Sequence, residues 1–522
     1  MRAMCALVRT CADATSSRQT ATAASDAHAV ASTGHTPRQG TIQMRVIGYA
    51  LIGAACGLSW GSSARAVEPN VAALQELGKR VFFDPISVPA TQSCSSCHDP
   101  EAGWTSPSSR INAGQVVFPG AVSKRAGGRK PPSIAYASAA PDFGDSPLVG
   151  IDIGFGPVPP CASGALPLSC SGGVFWDGRA TGNAIGNEVF GGDAALAAAY
   201  AQFLGPVADQ ALGPFPNDVE QNVPDGRDNG LPGAEFVCKH VANSSYAPLF
   251  KKAWGSAPDC KKGVDICFKR IAVSISAWEH SDEVNSFSSL RDFALEQDND
   301  STPGEFPLAG LSNEENLGHD LFYGITSPLN PTGKNANCAA CHNSAGPGSR
   351  GNEPDQLYTD SGFHHLGIPP NFDAASFDAK APDLGLAMHT AASAPAASGH
   401  AGAFRTPTLR NVDRRSRGSF VKAYMHNGYF KSLEDVVHFY NTARLKADGV
   451  KCPPGTTAAQ ARKRDCWPLP EFGGGFLASG PAANLLGDLG LTAAQEQAIV
   501  AYLQTLTDTQ VVKPPKPYGK RK

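Results

Sequence analysis

The sequence predicts a mainly α, loop-rich chain built as two similar halves. Three observations carry that reading: one pentapeptide pattern occurs twice, a short amphipathic stretch stands ahead of each copy, and a helical stretch closes each half. The pattern is Cys94-Ser95-Ser96-Cys97-His98, repeated as Cys338-Ala339-Ala340-Cys341-His342. Ahead of the first lies Leu77-Gly78-Lys79-Arg80-Val81-Phe82-Phe83, and ahead of the second Leu317-Gly318-His319-Asp320-Leu321-Phe322-Tyr323. From glycine to first cysteine is 16 residues in one case and 20 in the other. The closing stretches are Ile271 to Trp278 and Ile499 to Leu506, the latter entered through a capping box, Thr492-x-x-Gln495.

Cys-x-x-Cys-His has a specific chemistry. Two intervening residues let both thiols reach one porphyrin edge, where they bond the vinyl groups, and the next residue points an imidazole at the iron. A thioredoxin-like redox pair or half a zinc site would leave the histidine after both pairs unexplained. Each half therefore reads as a cytochrome c-like domain carrying one covalent haem c. Cys94, Cys97, Cys338 and Cys341 are the attachment points, and His98 and His342 the proximal ligands. The halves run 67–300 and 301–512, joined through 296–312, where Pro303, Gly304 and Pro307 break any helix. The basic, Pro-rich tail 513–522 is expected to be disordered. The 55 Gly and 41 Pro concentrate in 139–175, 204–234, 343–403 and 450–480, with no strand alternation. A haem core tolerates this because the porphyrin itself supplies apolar area to bury.

Residues 1–66 read as a leader, with a signal peptide over 44–66. Arg45 precedes an apolar run from Val46 to Trp60, and Ala64-Arg65-Ala66 is a small-x-small cleavage site. Residues 1–43 are either upstream of the true start at Met44 or a disordered leader. Cys56 is discounted as a lipoprotein site because Gly53 stands where leucine is usual. Cleavage near Ala66 leaves about 456 residues in the periplasm, with no later stretch apolar enough to span a bilayer. Removing six Arg and two acids takes the formal charge from −3 to −7, which argues against nucleic acid. Of fourteen cysteines, three lie in the leader and four hold haem. In an oxidising compartment Cys161/Cys170 and Cys452/Cys466 are expected disulfides. Cys238, Cys260 and Cys267 leave one over.

Function turns on the sixth position of each iron, because two strong protein ligands make an electron carrier and an open position binds peroxide or oxygen. No His or Met occurs from 99 to 239, so the first haem is expected to be open or water-bound, with Lys124 or Lys130 the remaining candidates.

Several further motifs then fall in order: Phe175-Trp176-Asp177-Gly178-Arg179-Ala180; Gln210 with Gly213-Pro214 and Glu220; Phe404 to Val412; and Tyr424-Met425-His426-Asn427-Gly428. Over 70–510 this resembles the bacterial di-haem cytochrome c peroxidases and their MauG-like branch. The resemblance implies that Trp176 lies between the haems and that Gln210, Pro214 and Glu220 line a peroxide pocket. The gap of 34 residues between Trp176 and Gln210 is longer than the family's. The loop histidine that caps the first haem in the better-known peroxidases is missing, as in MauG. Tyr440 stands where those peroxidases carry the methionine ligand of the second haem, again as in MauG. A packed core aromatic, or ligation by Met388 or Met425, are the alternatives for Tyr440. The family also places calcium between the haems, held partly by an Asn, where this chain has Lys130. An ammonium repels calcium; Lys130 either fills the cation's place itself or is a surface lysine.

On this reading hydrogen peroxide binds at the first haem, Gln210 orients it and Glu220 moves its proton. An anionic tyrosine ligand stabilises high iron oxidation states, so the resemblance implies oxidising equivalents shared by both irons. Three functions remain: peroxide reduction with electrons from a small cytochrome or copper protein; MauG-like oxidation of tryptophans on a substrate protein; and plain electron transfer.

Overall fold

Two helix crossings organise the computed structural model, which describes residues 68–152, 156–224, 231–302, 304–344, 349–378, 380–390, 395–447, 452–473 and 485–516. The leader, signal peptide and Pro303 lie outside these residues, as does the tail beyond 516. The first crossing sets Val71–Phe83 against Val264–Glu279; the second sets Asn313–Tyr323 against Ala493–Gln504. Each is made at a glycine. A Cβ on Gly78 would sit 1.8 Å from the Ser274 carbonyl oxygen, and one on Gly318 would sit 2.0 Å from that of Ala498. The Leu-Gly pair ahead of each haem motif is thus the contact point of two backbones.

The entry helices form for local reasons. The Asn70 side chain accepts the Ala73 N–H, and Ala73, Leu74, Leu77, Val81 and Phe82 face inward at helical spacing. Ser312 and Glu315 make a capping box ahead of the second. The expected Thr492/Gln495 box is present as well. The last helix ends at Gln504, two residues short of the predicted Leu506, because the Thr505 hydroxyl turns back to the Tyr502 carbonyl at 2.7 Å.

Strand structure among the described residues is limited to two antiparallel pairs, Gly144–Asp145 with Cys170–Ser171 and Phe363–His364 with Phe404–Arg405. Two large cores separate the halves. One is drawn from 73–284 together with Val512, around Phe82, Trp104, Trp254 and Trp278; the other from 321–506, around Phe322, Tyr358, Trp467 and Tyr502. Both expected disulfides, Cys161–Cys170 and Cys452–Cys466, are formed. Among the described residues no helix is long and apolar enough to cross a membrane.

The linear boundary at 300 misses how the chain returns. Val512 belongs to the first core. Asp508, just before it, accepts from Tyr136 Oη at 2.8 Å and from Asn411 Nδ2 at 2.7 Å. Arg410, fully buried, pairs with Asp292 at 2.7 and 3.0 Å. Two members of the Phe404–Val412 motif therefore pin the halves to each other.

Candidate haem sites and the ground between them

The two attachment motifs fold alike. Each opens a single turn, Cys94–Ser96 and Cys338–Ala340, and the two thiols of each stay unbridged in a chain that forms disulfides elsewhere. Burial holds the Cys94 thiol up at about 12, a poor nucleophile. His98 Nδ1 lies 3.0 Å from the Trp104 carbonyl oxygen, and His342 Nδ1 lies 2.9 Å from that of Tyr358. Each ring donates through Nδ1, which leaves Nε2 as the ligating nitrogen. Burial pushes His98 down to about 4, so the imidazole is neutral and ready for a metal. Trp104 and Tyr358 both take positive φ, 62° and 56°, a conformation uncommon for a bulky residue. Neither aromatic carried a sequence signal, since the offset from histidine is six residues in one half and 16 in the other.

A cavity of about 940 Å³ opens over the first motif. Cys94, Cys97, His98, Trp176, Gln210, Pro214 and Glu220 all line it, so the expected pocket residues do come together. Pro206–Leu212 presents Gln210, and the turn after it presents Pro214 and Glu220. Burial raises the Glu220 carboxyl above the usual range, opposed by the Arg179 charge and by Asn217, whose Nδ2 donates to it at 2.9 Å. Glu279 also lines the cavity; burial lifts it to about 8, so it is an acid at neutral pH. Met388, His389 and His426, which lie outside 99–239, reach this cavity from the other half. His389 Nε2 bonds the Asp177 carbonyl, and His426 Nε2 lies 3.2 Å from Glu471.

The second motif faces a mostly apolar cavity lined by Cys338, Cys341, His342, Tyr440 and Met425. Leu433–Ala447 carries Tyr440 into it. Among the described residues the Tyr440 hydroxyl has no hydrogen-bond partner, unlike an aromatic packed with its polar end satisfied. Burial holds the phenol above its ordinary value, a cost that an iron cation would offset. Met388 is 56% exposed and lines the first cavity, so it is not a candidate for the second iron.

Trp176 lines both cavities and is buried. Its indole N–H donates to the Lys130 carbonyl at 2.7 Å, and the Lys130 ammonium stands 5.8 Å from the centre of its ring. Lys130 is buried, which rules out the surface-lysine reading, and burial lowers it to about 8. Its Nζ donates to the Pro131 carbonyl at 3.0 Å. Beside it Asp177 pairs with Arg129 at 2.7 Å and Arg179 at 3.0 Å, while Arg129 also holds Asp383.

Residues 72–300 match the family described as di-haem cytochrome c peroxidase. Over 450 residues the chain is 28% identical to methylamine utilization protein MauG of Paracoccus denitrificans, covering 85% of this chain and 91% of that one. Along these residues the chain is similar to the di-haem cytochrome c peroxidases. The MauG protein of Methylorubrum extorquens is 24% identical over 369 residues, 70% of this chain and 67% of its own length. Among solved structures, a tyrosine-to-methionine variant of the diheme peroxidase BthA from Burkholderia thailandensis superposes with a TM-score of 0.57 at 25% identity. That match covers 87% of this chain and 90% of the other. The protein is thus a di-haem cytochrome c peroxidase-like oxidoreductase with a mostly helical, loop-rich fold, and the family implies two haem c groups.

The residues present fit those groups. Each site offers two unbridged thiols, a neutral imidazole with its second nitrogen anchored, and an apolar wall. His389 stands in no motif and had no spacing pattern to reveal it; His426 lies in the Tyr424–Gly428 motif, but only chain return shows that it reaches the first cavity.

Proposed function

We propose that the protein cleaves hydrogen peroxide at its N-terminal haem site and shares the oxidising equivalents with the C-terminal one across Trp176. The observation that carries this is the gathering of Gln210, Pro214 and Glu220 over the Cys94/Cys97/His98 motif, with Trp176 common to both cavities. The bound haem would supply the iron that binds peroxide and electrons to reduce it. Glu220, raised by burial yet still balanced by Arg179, suits a group that accepts the inner peroxide proton and returns it to the outer oxygen, so that water leaves. Gln210 offers a neutral amide to orient the peroxide. Asn217 holds the Glu220 carboxylate in position. Lys130 supplies a fixed positive charge between the sites, in the place the family gives to calcium.

Tyr440 favours the MauG-like form of this reading, in which a partner protein's tryptophans are the final reductant. Tyr440 lines the second cavity, its hydroxyl has no hydrogen-bond partner among the described residues, and an anionic oxygen ligand lowers an iron potential where a thioether raises it. Periplasmic export and a small cytochrome or copper protein as donor complete the peroxidase form.

Stopped-flow spectra after peroxide addition, with and without a reduced small cytochrome, test the proposal. Rapid spectral change in the ferric protein without prior reduction is expected. Two low-spin ferric haems inert to peroxide would leave only electron transfer.

A further inference from the structure

Three cysteines remain outside the haem motifs and the two settled disulfides: Cys238, Cys260 and Cys267. Their sulfurs all lie within 4.8 Å of one another. Cys238 sits on Ala234–Asn243, Cys267 in the first turn of Val264–Glu279, and Cys260 in the loop that joins the intervening helix Ala247–Trp254 to it. Cys238 and Cys260 have Cα atoms 5.6 Å apart, and Cys238 and Cys267 6.0 Å, so either pair suits a disulfide. One sulfur forms one disulfide, and the third cysteine keeps its thiol.

We propose that Cys238 is the shared partner in an internal disulfide exchange that moves one thiol between Cys267 and Cys260, making Cys260 a site for mixed disulfides with small-molecule disulfides. The Cys267 thiolate attacks the Cys238 sulfur, the Cys238–Cys267 bond forms, the Cys238–Cys260 bond breaks, and Cys260 leaves as the thiolate and takes the proton. No outside oxidant is consumed. The two isomers differ in what they expose. Cys238 and Cys267 are buried, whereas Cys260 is only partly so, in a polar turn between Asp259 and Lys261-Lys262 that solvent can reach. A three-thiolate metal site is disfavoured by the same chain's two formed disulfides, since oxidation of any pair leaves a single ligand.

The test uses the holoprotein, quenched in acid, alkylated with iodoacetamide under denaturing conditions without reductant, and mapped by mass spectrometry. One alkylated cysteine per chain is expected, divided between Cys260 and Cys267, with Cys238 unlabelled. In the native state oxidised glutathione should add one glutathionyl group per chain, at Cys260, release one glutathione and draw the population to Cys238–Cys267. Cys260→Ser should abolish both labels and retain a Cys238–Cys267 bond. No thiol, three thiols, a retained metal ion or a single fixed connectivity would each overturn the proposal. Should Cys260→Ser fail to fold, the labelling pattern of the unaltered protein decides alone.

Discussion

The Trp176 indole N–H donates to the Lys130 carbonyl at 2.7 Å, and the same lysine sets its ammonium 5.8 Å from the indole ring. The residue between the two cavities and the charge beside it are therefore one unit.

Lys130 carries a signed pH dependence. Its folded value, about 8, lies below the unfolded one of 10.5, so between these the unfolded chain binds more protons. Stability contributed at this site is lowest below about 8 and recovers as pH rises toward 10.5. Lys130→Met should raise the melting temperature at pH 7, with the gain shrinking above pH 9. Calcium chelators should leave the haem spectra of the unaltered protein unchanged; a chelator-induced change would restore calcium to this position.

Glu220→Gln should leave both haems attached and slow peroxide cleavage by ~10²-fold or more. Because the working form is the carboxylate, the rate in the unaltered protein should fall as pH drops through a midpoint above the usual glutamate range. Arg179→Gln, which removes the opposing charge, should move that midpoint further up. Stopped-flow rates across a pH series check both, and an unchanged rate in Glu220→Gln would remove Glu220 from the reaction.

Tyr440→Met or Tyr440→His should yield a folded di-haem protein with a higher reduction potential at the second haem, since a neutral ligand no longer offsets a unit of iron charge. Turnover with small donors should survive while oxidation of a partner protein collapses. Spectroelectrochemical titration reads the potential; no shift would pass the role to Met425, which lines the same cavity.

Arg410→Ala should destabilise the protein by ~3 kcal/mol, because Asp292 loses its bidentate partner in a dry interface. Arg291, 3.3 Å from Asp292, limits the loss. Denaturant melts with each Soret band followed separately should show both halves affected together.

Gly318→Ala tests the helix crossing. Its Cβ would meet the Ala498 carbonyl oxygen at 2.0 Å, so the two helices must separate, at a cost of ~1–3 kcal/mol or more. Gly78→Ala should behave alike in the first half, and a neutral outcome in thermal melts would mean that the helices do not cross here.

Much of the molecule is local chemistry and was legible as such. Two cysteines and a histidine at fixed spacing must lie on one turn, so the paired turns at 94–98 and 338–342, and the haem attachment proposed there, are read from the chain alone. The helices before and after them follow from caps and apolar spacing, and the near pairs Cys161/Cys170 and Cys452/Cys466 from short separation. What only the tertiary structure decided involves residues far apart in sequence. Burial turned Lys130 from an ambiguous lysine into a buried charge against Trp176. Chain return carried Val512 into the first core and His389 and His426 to the first cavity. It also put Met388 on that cavity and Met425 on the other, separating two candidates that sequence left equal. The physical reason is range: turn geometry, capping and periodicity act over a few residues, whereas desolvation and charge pairing depend on what packing brings near.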